Sequence, residues 1–272
     1  MGFRAARVRA LAAVFVAATS VSCAPADTHR PPLLRIVAND GGYVVPAQIP
    51  AGITEIHLIN AGHTTHEGVF EHFLTPGGTG AAYAESVRAG IDVPAFAEDV
   101  GGPGLAAPGD SSAVWMDLTP GHYAVACWYA GHLKHGGIHD FDVVASLSQA
   151  LPPKTDLVVR MFDYAYQFDG TWTAGTHRVL VENAGTEWHE FDPYRLEPGK
   201  RPEDFFHWIE TGRHGPPPAI ALGGSGTFPR GHRIWLPLRL IPGRYFAFCQ
   251  MPAKIGGQPH YQMGMVREFE VK

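Results

Sequence analysis

Cysteine is scarce in this chain: 272 residues contain three, and one of those, Cys23, lies in an N-terminal leader. The two that remain, Cys127 and Cys249, exclude a multi-bridge disulfide framework, although a single bridge between them is open. Charge is also sparse, at 17% of residues. The sequence contains no GxGxxG, no phosphate-binding GxxxxGK[ST] loop and no GxSxG, and no segment reads as a βαβ unit, so nucleotide-binding and serine-hydrolase chemistry have no foothold. No pair of carboxylates or nucleophile and base can be placed, which leaves hydrolysis unsupported. What is abundant is Gly (32) and Pro (23), the composition of many turns joining short strands.

The first 26 residues read as a signal peptide. Arg4, Arg7 and Arg9 precede an apolar run from Ala10 to Val21 that is too short for a comfortable membrane span. "TSVSC" resembles a relaxed lipobox, which would lipidate Cys23 and anchor the protein, whereas "APA" before Asp27 suits ordinary cleavage; both ends remain open. The expectation is an exported protein, periplasmic or extracellular, with lipid anchoring at the cell surface as one form of it. Removing the three leader arginines moves the formal charge from −5 to −8, an acidic balance that argues against nucleic acid as a partner.

The rest of the chain repeats itself. "YVVPAQIPAGITEIHLINAGHTTHE" (43–67) aligns with "YQFDGTWTAGTHRVLVENAGTEWHE" (166–190), so that Tyr43, Gly52, Asn60, Gly62, His66 and Glu67 recur 123 residues later as Tyr166, Gly175, Asn183, Gly185, His189 and Glu190. "LTPGHYAVAC" (118–127) matches "LIPGRYFAFC" (240–249), and "HDFDVV" (139–144) matches "VREFEV" (266–271). This predicts two tandem domains, 33–146 and 155–272, joined by a linker at 147–154. Alternation in "TEIHLIN" and "HRVLVEN" is that of half-buried strands, while helical pieces are expected near 80–89 and 202–210, the second opened by Pro202. The fold class expected is all-β: two Greek-key β-sandwiches with short helical insertions.

At these motifs each half resembles the cupredoxins, the blue copper β-sandwich family of plastocyanin and azurin. "NAGTEWHE" resembles that family's loop for the first ligand, a His. "PHYQMGMVREFEV", with four residues between His260 and Met265 and a strand after, resembles its ending. The resemblance implies at most one copper ion per domain. In the second it implies His189, Cys249, His260 and Met265 as ligands, with Met263 as the competing axial residue. In the first it implies His66, Cys127 and His132, and no Met in axial position; His135, or nothing, would take that place. The family's chemistry needs two imidazoles and a thiolate in a plane with a weak axial thioether. Ten residues separate Cys249 from His260, longer than in simple members and similar to copper nitrite reductases. Multicopper oxidases share the architecture but need His-x-His pairs and a His-Cys-His run, which this chain lacks.

The function expected is mononuclear copper binding for electron transfer or copper handling, more an electron carrier or binding protein than an enzyme, with a redox protein as partner. The alternative is a metal-free sandwich that holds a partner through Gly-rich insertions (74–112 and 197–231). Glu67 and Glu190 are expected in surface or turn roles, with orientation of the neighbouring imidazole as the functional option.

Overall fold

The computed structural model describes residues 29–272; the signal-peptide and Cys23 expectations fall outside them. Alternation along the chain translates directly into strands with one dry face. In Gly52–Asn60, Ile56 and Leu58 are fully buried while Glu55, His57 and Ile59 between them are half-buried. Gly175–Asn183 repeats the pattern with Val179 and Val181. Each fully buried Ile, Leu or Val of this kind contributes about 1.5–3 kcal/mol.

Each half of the chain folds as two stacked sheets. In the N-terminal half one sheet runs Gly42–Val44, Leu33–Asn39, Gly52–Asn60 and Ser111–Leu118, and the other Gln48–Pro50, Ile138–Val144, Gly121–Ala126, His66–Phe73 and Ala97–Asp99. The C-terminal half repeats this with Ala165–Asp169, Leu157–Phe162, Gly175–Asn183 and Arg233–Leu240 facing Ala219–Ala221, Asp192–Leu196, Gly243–Phe248 and Val266–Val271. The parallel pairing of Leu33–Asn39 with Gly52–Asn60 recurs as Leu157–Phe162 with Gly175–Asn183, so the repeat seen in sequence extends to strand direction. The helices form at Gly80–Arg88, capped by the Thr79 hydroxyl accepting from the Ala82 N–H, and at Pro202–Glu210. Residues 147–154 contain neither strand nor helix.

Backbone pairing and close glycine packing join the halves. Ser111–Leu118 pairs antiparallel with Arg233–Leu240 through Met116 with Ile234 and Trp115 with Trp235, which fuses one sheet from each half into a single eight-stranded sheet. Beside it, "GGPG" (101–104) lies against "GGSG" (223–226), a repeat at the 122-residue offset. Gly102 N–H donates to the Ser225 carbonyl at 2.7 Å, and a Cβ on Gly104 would stand 2.7 Å from the backbone of Gly224. Only glycine allows two backbones to come this close. The Gly-rich insertions are thus partly consumed inside the molecule, where they hold the two sandwiches together.

A methyl group on Gly102 would overlap the carbonyl oxygen of Gly68. Gly102→Ala is expected to lower the unfolding free energy by about 3 kcal/mol through overpacking. Gly109→Ala, whose φ of +79° is strained but whose Cβ meets open space, costs only about 1 kcal/mol. Denaturant midpoints of the two variants check the contrast.

Candidate metal centres

The C-terminal centre is assembled from three stretches of chain. His189 follows the loop after Gly175–Asn183 and is held by mutual backbone hydrogen bonds with Phe228. Cys249 directly follows strand Gly243–Phe248. His260 opens a short 3-10 turn, His260–Met263, and its N–H donates to the Met251 carbonyl at 2.9 Å. All three side chains are fully buried. His189 Nδ1 and His260 Nδ1 are 3.1 Å apart, and Cys249 Sγ lies 3.4 Å from His260 Nδ1 and 4.0 Å from His189 Nδ1.

These separations suit a shared ion. Metal–imidazole bonds of about 2.0 Å and metal–thiolate bonds of about 2.3 Å, spread about 120° apart, put nitrogens about 3.5 Å from each other and about 3.7 Å from sulfur. The two sulfur–nitrogen distances bracket the expected value, and the nitrogen–nitrogen distance of 3.1 Å falls a little short of it. The ten-residue insertion does not spoil the approach, because it closes on itself: Pro252 bridges Pro259 and the Ala253 N–H donates to the Gln258 carbonyl at 2.9 Å. Its tip projects outward with Ile255, and His260 is returned to the sulfur.

The N-terminal centre repeats the plan. Cys127 Sγ lies 3.8 Å from His66 Nδ1 and 3.4 Å from His132 Nδ1. Here His132 is only half-buried, on a segment (Tyr129–His135) turned by left-handed Ala130 and Gly131. His135, considered for a fourth position, is exposed and lies outside the group that converges. The backbone bonds align the halves: the Cys127 carbonyl accepts from Leu133 and its N–H donates to Gly137, as Cys249 does with Tyr261 and Met265. Gly137 therefore occupies the place of Met265. A Cβ there would stand 3.0 Å from His132 backbone atoms, so a side chain at this position would press on the loop that carries His132. Met265 is fully buried in the same core as Cys249, whereas Met263 is exposed.

Three carboxylates that sequence reading missed hold the imidazoles. Asp40 Oδ1 lies 3.4 Å from His66 Nε2, Asp163 Oδ1 3.0 Å from His189 Nε2, and Glu187 Oε2 3.1 Å from His260 Nε2. A carboxylate accepting from Nε2–H fixes the tautomer that turns a bare Nδ1 towards the common point. Burial pushes Asp163 up, but hydrogen bonds from Thr186, the Glu187 N–H and His189 outweigh it and hold the carboxyl well below its ordinary range. Asp40 is held low too, chiefly by His63. The close fit needs glycine: a Cβ on Gly185 would come 2.5 Å from Asp163 Oδ1 and 2.7 Å from His189 Nε2, and Gly62 is similarly placed against Asp40 and His66. Asn183 completes the loop by accepting from Gly185 N–H and donating to the Glu187 and Phe228 carbonyls, and Asn60 does the same in its half. The repeat was visible here too, since Asp40 and Asp163 stand three residues before Tyr43 and Tyr166 at the same offset.

Burial raises both thiols, Cys127 to about 11 and Cys249 well above its ordinary value. Burial likewise lowers His132 and His189, which favours the neutral, ligating imidazole. The Glu67 N–H donates to Cys127 Sγ at 3.3 Å. The Glu67 and Glu190 side chains correct the expectation of a surface role. Both are buried and turn away from the imidazoles into the seam between the sandwiches, where burial raises Glu67 to about 8. Glu190 accepts from the Gln250 N–H and the Thr227 hydroxyl. Their positions depend on packing between halves, for which the local sequence carried no signal.

No protein-family model and no curated protein matches the chain. Solved structures with a similar fold include a dithionite-reduced auracyanin from Roseiflexus castenholzii (18% identity, TM-score 0.31, covering 41% of this chain and 96% of that one). They also include auracyanin A, described as a "blue" copper protein, from Chloroflexus aurantiacus (17%, TM-score 0.31, 43% and 100%). A multicopper oxidase spans both halves (19%, TM-score 0.26, 88% of each chain). The chain folds as two β-sandwiches, and the case for a metal rests on the donor geometry.

Gly185→Ala is expected to lower stability by about 1–3 kcal/mol and to displace the His189 ring, seen as a shift of its NMR signals in metal-free protein. A second expectation concerns the buried pair Glu71 and Asp99, both raised chiefly by burial. A folded carboxyl that holds its proton more tightly than the unfolded one loses stability as pH rises from the ordinary carboxylate range towards its folded value. Between pH 5 and 8 the unfolding free energy of Asp99→Asn should therefore fall less, or rise more, with pH than that of the parent protein. Urea titrations across that range give the comparison.

Proposed function

We propose that the protein is an exported copper-binding electron-transfer protein with one mononuclear centre in each half. The convergence of His189 Nδ1, His260 Nδ1 and Cys249 Sγ in a fully buried site carries the reading. Two neutral imidazoles and a thiolate form the mixed nitrogen–sulfur set that copper takes in either oxidation state, with Met265 as the weak fourth donor. Bound copper would supply a one-electron couple. The chain supplies the rest: Asp163 and Glu187 fix both rings, and the close-packed core around Cys249 excludes water and resists rearrangement on a change of charge.

The same residues at His66, Cys127 and His132 would hold the second ion without a thioether and with one half-exposed ring. That difference favours Cu(II) there relative to the C-terminal centre. Among the described residues no helix is long and apolar enough to cross a membrane. A redox protein is the partner proposed, and the half-exposed His132 gives the N-terminal centre its approach to solvent.

Titration of purified full-length protein with Cu(II) should give uptake approaching two equivalents and an intense visible thiolate-to-copper band. Cys249→Ser is expected to remove one equivalent and its share of the band, Cys127→Ser the other, and the double variant both. Native mass spectrometry counts the ions. Absence of stoichiometric uptake in the parent protein would sink the reading in favour of a metal-free sandwich.

A further inference from the structure

Between the two sandwiches lies a cavity of about 620 Å³, within the range of small-molecule sites and far larger than a lone ion needs. Five carboxylates line it, Glu67, Asp92, Asp99, Glu190 and Asp192, against a single cation, Arg213. Aromatic faces complete the walls: Trp128 and Tyr129 from the N-terminal half, Tyr194, Phe205, Trp208 and Phe248 from the other. Asp192 is 95% buried and its Oδ1 has no hydrogen-bond partner. An unpaired buried carboxylate oxygen is costly unless something supplies a donor or a positive charge.

Arg213 shows what the walls accept. It is held at φ +60°, a strained value for a non-glycine residue. Its guanidinium lies 5.2 Å over the Tyr129 ring, and its Nε finds no partner. The chain thus brings its own cation to the rim by a cation–π contact, while the deeper Asp192 Oδ1 remains without a partner.

We infer that this cavity binds a small organic cation, an ammonium with an aromatic or aliphatic body. The charged end lies at Asp192 and the body lies against Trp128, Tyr194 and Phe205. The location gives the site a use. Trp128 and Tyr129 directly follow Cys127, and Gln250 and Met251, also in the wall, directly follow Cys249. A molecule held here touches residues bonded in sequence to the sulfur donors of both centres. The binding itself needs no metal, so it stands or falls separately from the copper reading.

The test uses the metal-free, full-length protein with 2-phenylethylammonium as probe, followed by calorimetry and tryptophan fluorescence. The expected result is saturable one-to-one binding at least tenfold tighter than that of 3-phenylpropanoate, which has the same ring and the opposite charge. Asp192→Asn, nearly isosteric, should weaken the ammonium at least tenfold. Arg213→Gly removes the resident cation and suits the left-handed backbone, and should tighten it. If Asp192→Asn does not fold, the charge discrimination of the parent protein and the Arg213→Gly result still decide. Equal affinity for the two probes, no saturable binding of the ammonium, an unchanged affinity in folded Asp192→Asn, or weaker binding in Arg213→Gly would each overturn the inference. So would capture of zinc or calcium alone that is lost in Asp192→Asn while the ammonium does not bind.

Discussion

The carboxylate of Asp163 is the constraint from which the C-terminal centre is built. It sits in the turn between Leu157–Phe162 and Ala165–Asp169 and accepts from Thr186, from the Glu187 N–H and from His189 Nε2. One side chain therefore fixes the loop that carries the first His and the orientation of that ring. The loop can approach because Gly185 has no Cβ, and Asn183 satisfies the backbone groups that the tight path leaves over. Asp40, Gly62 and Asn60 repeat the device. With the rings fixed by the folded chain, little reorganisation is left for a bound ion to cause.

Carboxyl groups meet opposite fates in the two acidic regions of the molecule. Asp40 and Asp163 are partly accessible and richly hydrogen-bonded, so their charge is stabilised. Glu67, Asp99 and Asp192 lie in the seam between the sandwiches, where desolvation dominates and the charged form is disfavoured. The same residue types serve as fixed anions in one place and as carboxyls that hold their protons more tightly in the other. The seam exists because two glycine-rich turns, one from each half, pack backbone to backbone. Its chemistry is thus a product of the duplication and belongs to neither half alone.

Much of this was legible in the sequence because a duplication writes every constrained position twice. Tyr166 donates its hydroxyl to the Glu190 carbonyl and Tyr43 does so to that of Glu67; Asn, Gly, His and Cys recur for reasons equally local. Asp40 and Asp163 obey the same offset, but an aspartate in a turn has a sufficient local explanation, so the offset alone does not mark them as ligand supports. Glu67 and Glu190 were misplaced for a different reason. An acidic residue after a loop is ordinarily solvated, and only packing of one half on the other buries it. Glu187 has Thr64 as its counterpart, so no repeat could signal it.

Divergence between the halves is concentrated where a metal would sense it. Gly137 replaces Met265, Thr64 replaces Glu187, and His132 is half-exposed where His260 is sealed. The first and third of these changes act in the same sense; the second acts on ring orientation and basicity instead. Loss of the thioether and greater access to water both favour the higher-charged ion, and loss of the carboxylate behind the second imidazole relaxes that ring. The C-terminal centre is the more rigid and enclosed, the N-terminal one the more accessible. The two centres flank one acidic and aromatic cavity, through Trp128 on one side and Gln250 on the other, so the divergence between the halves meets at the seam that joins them.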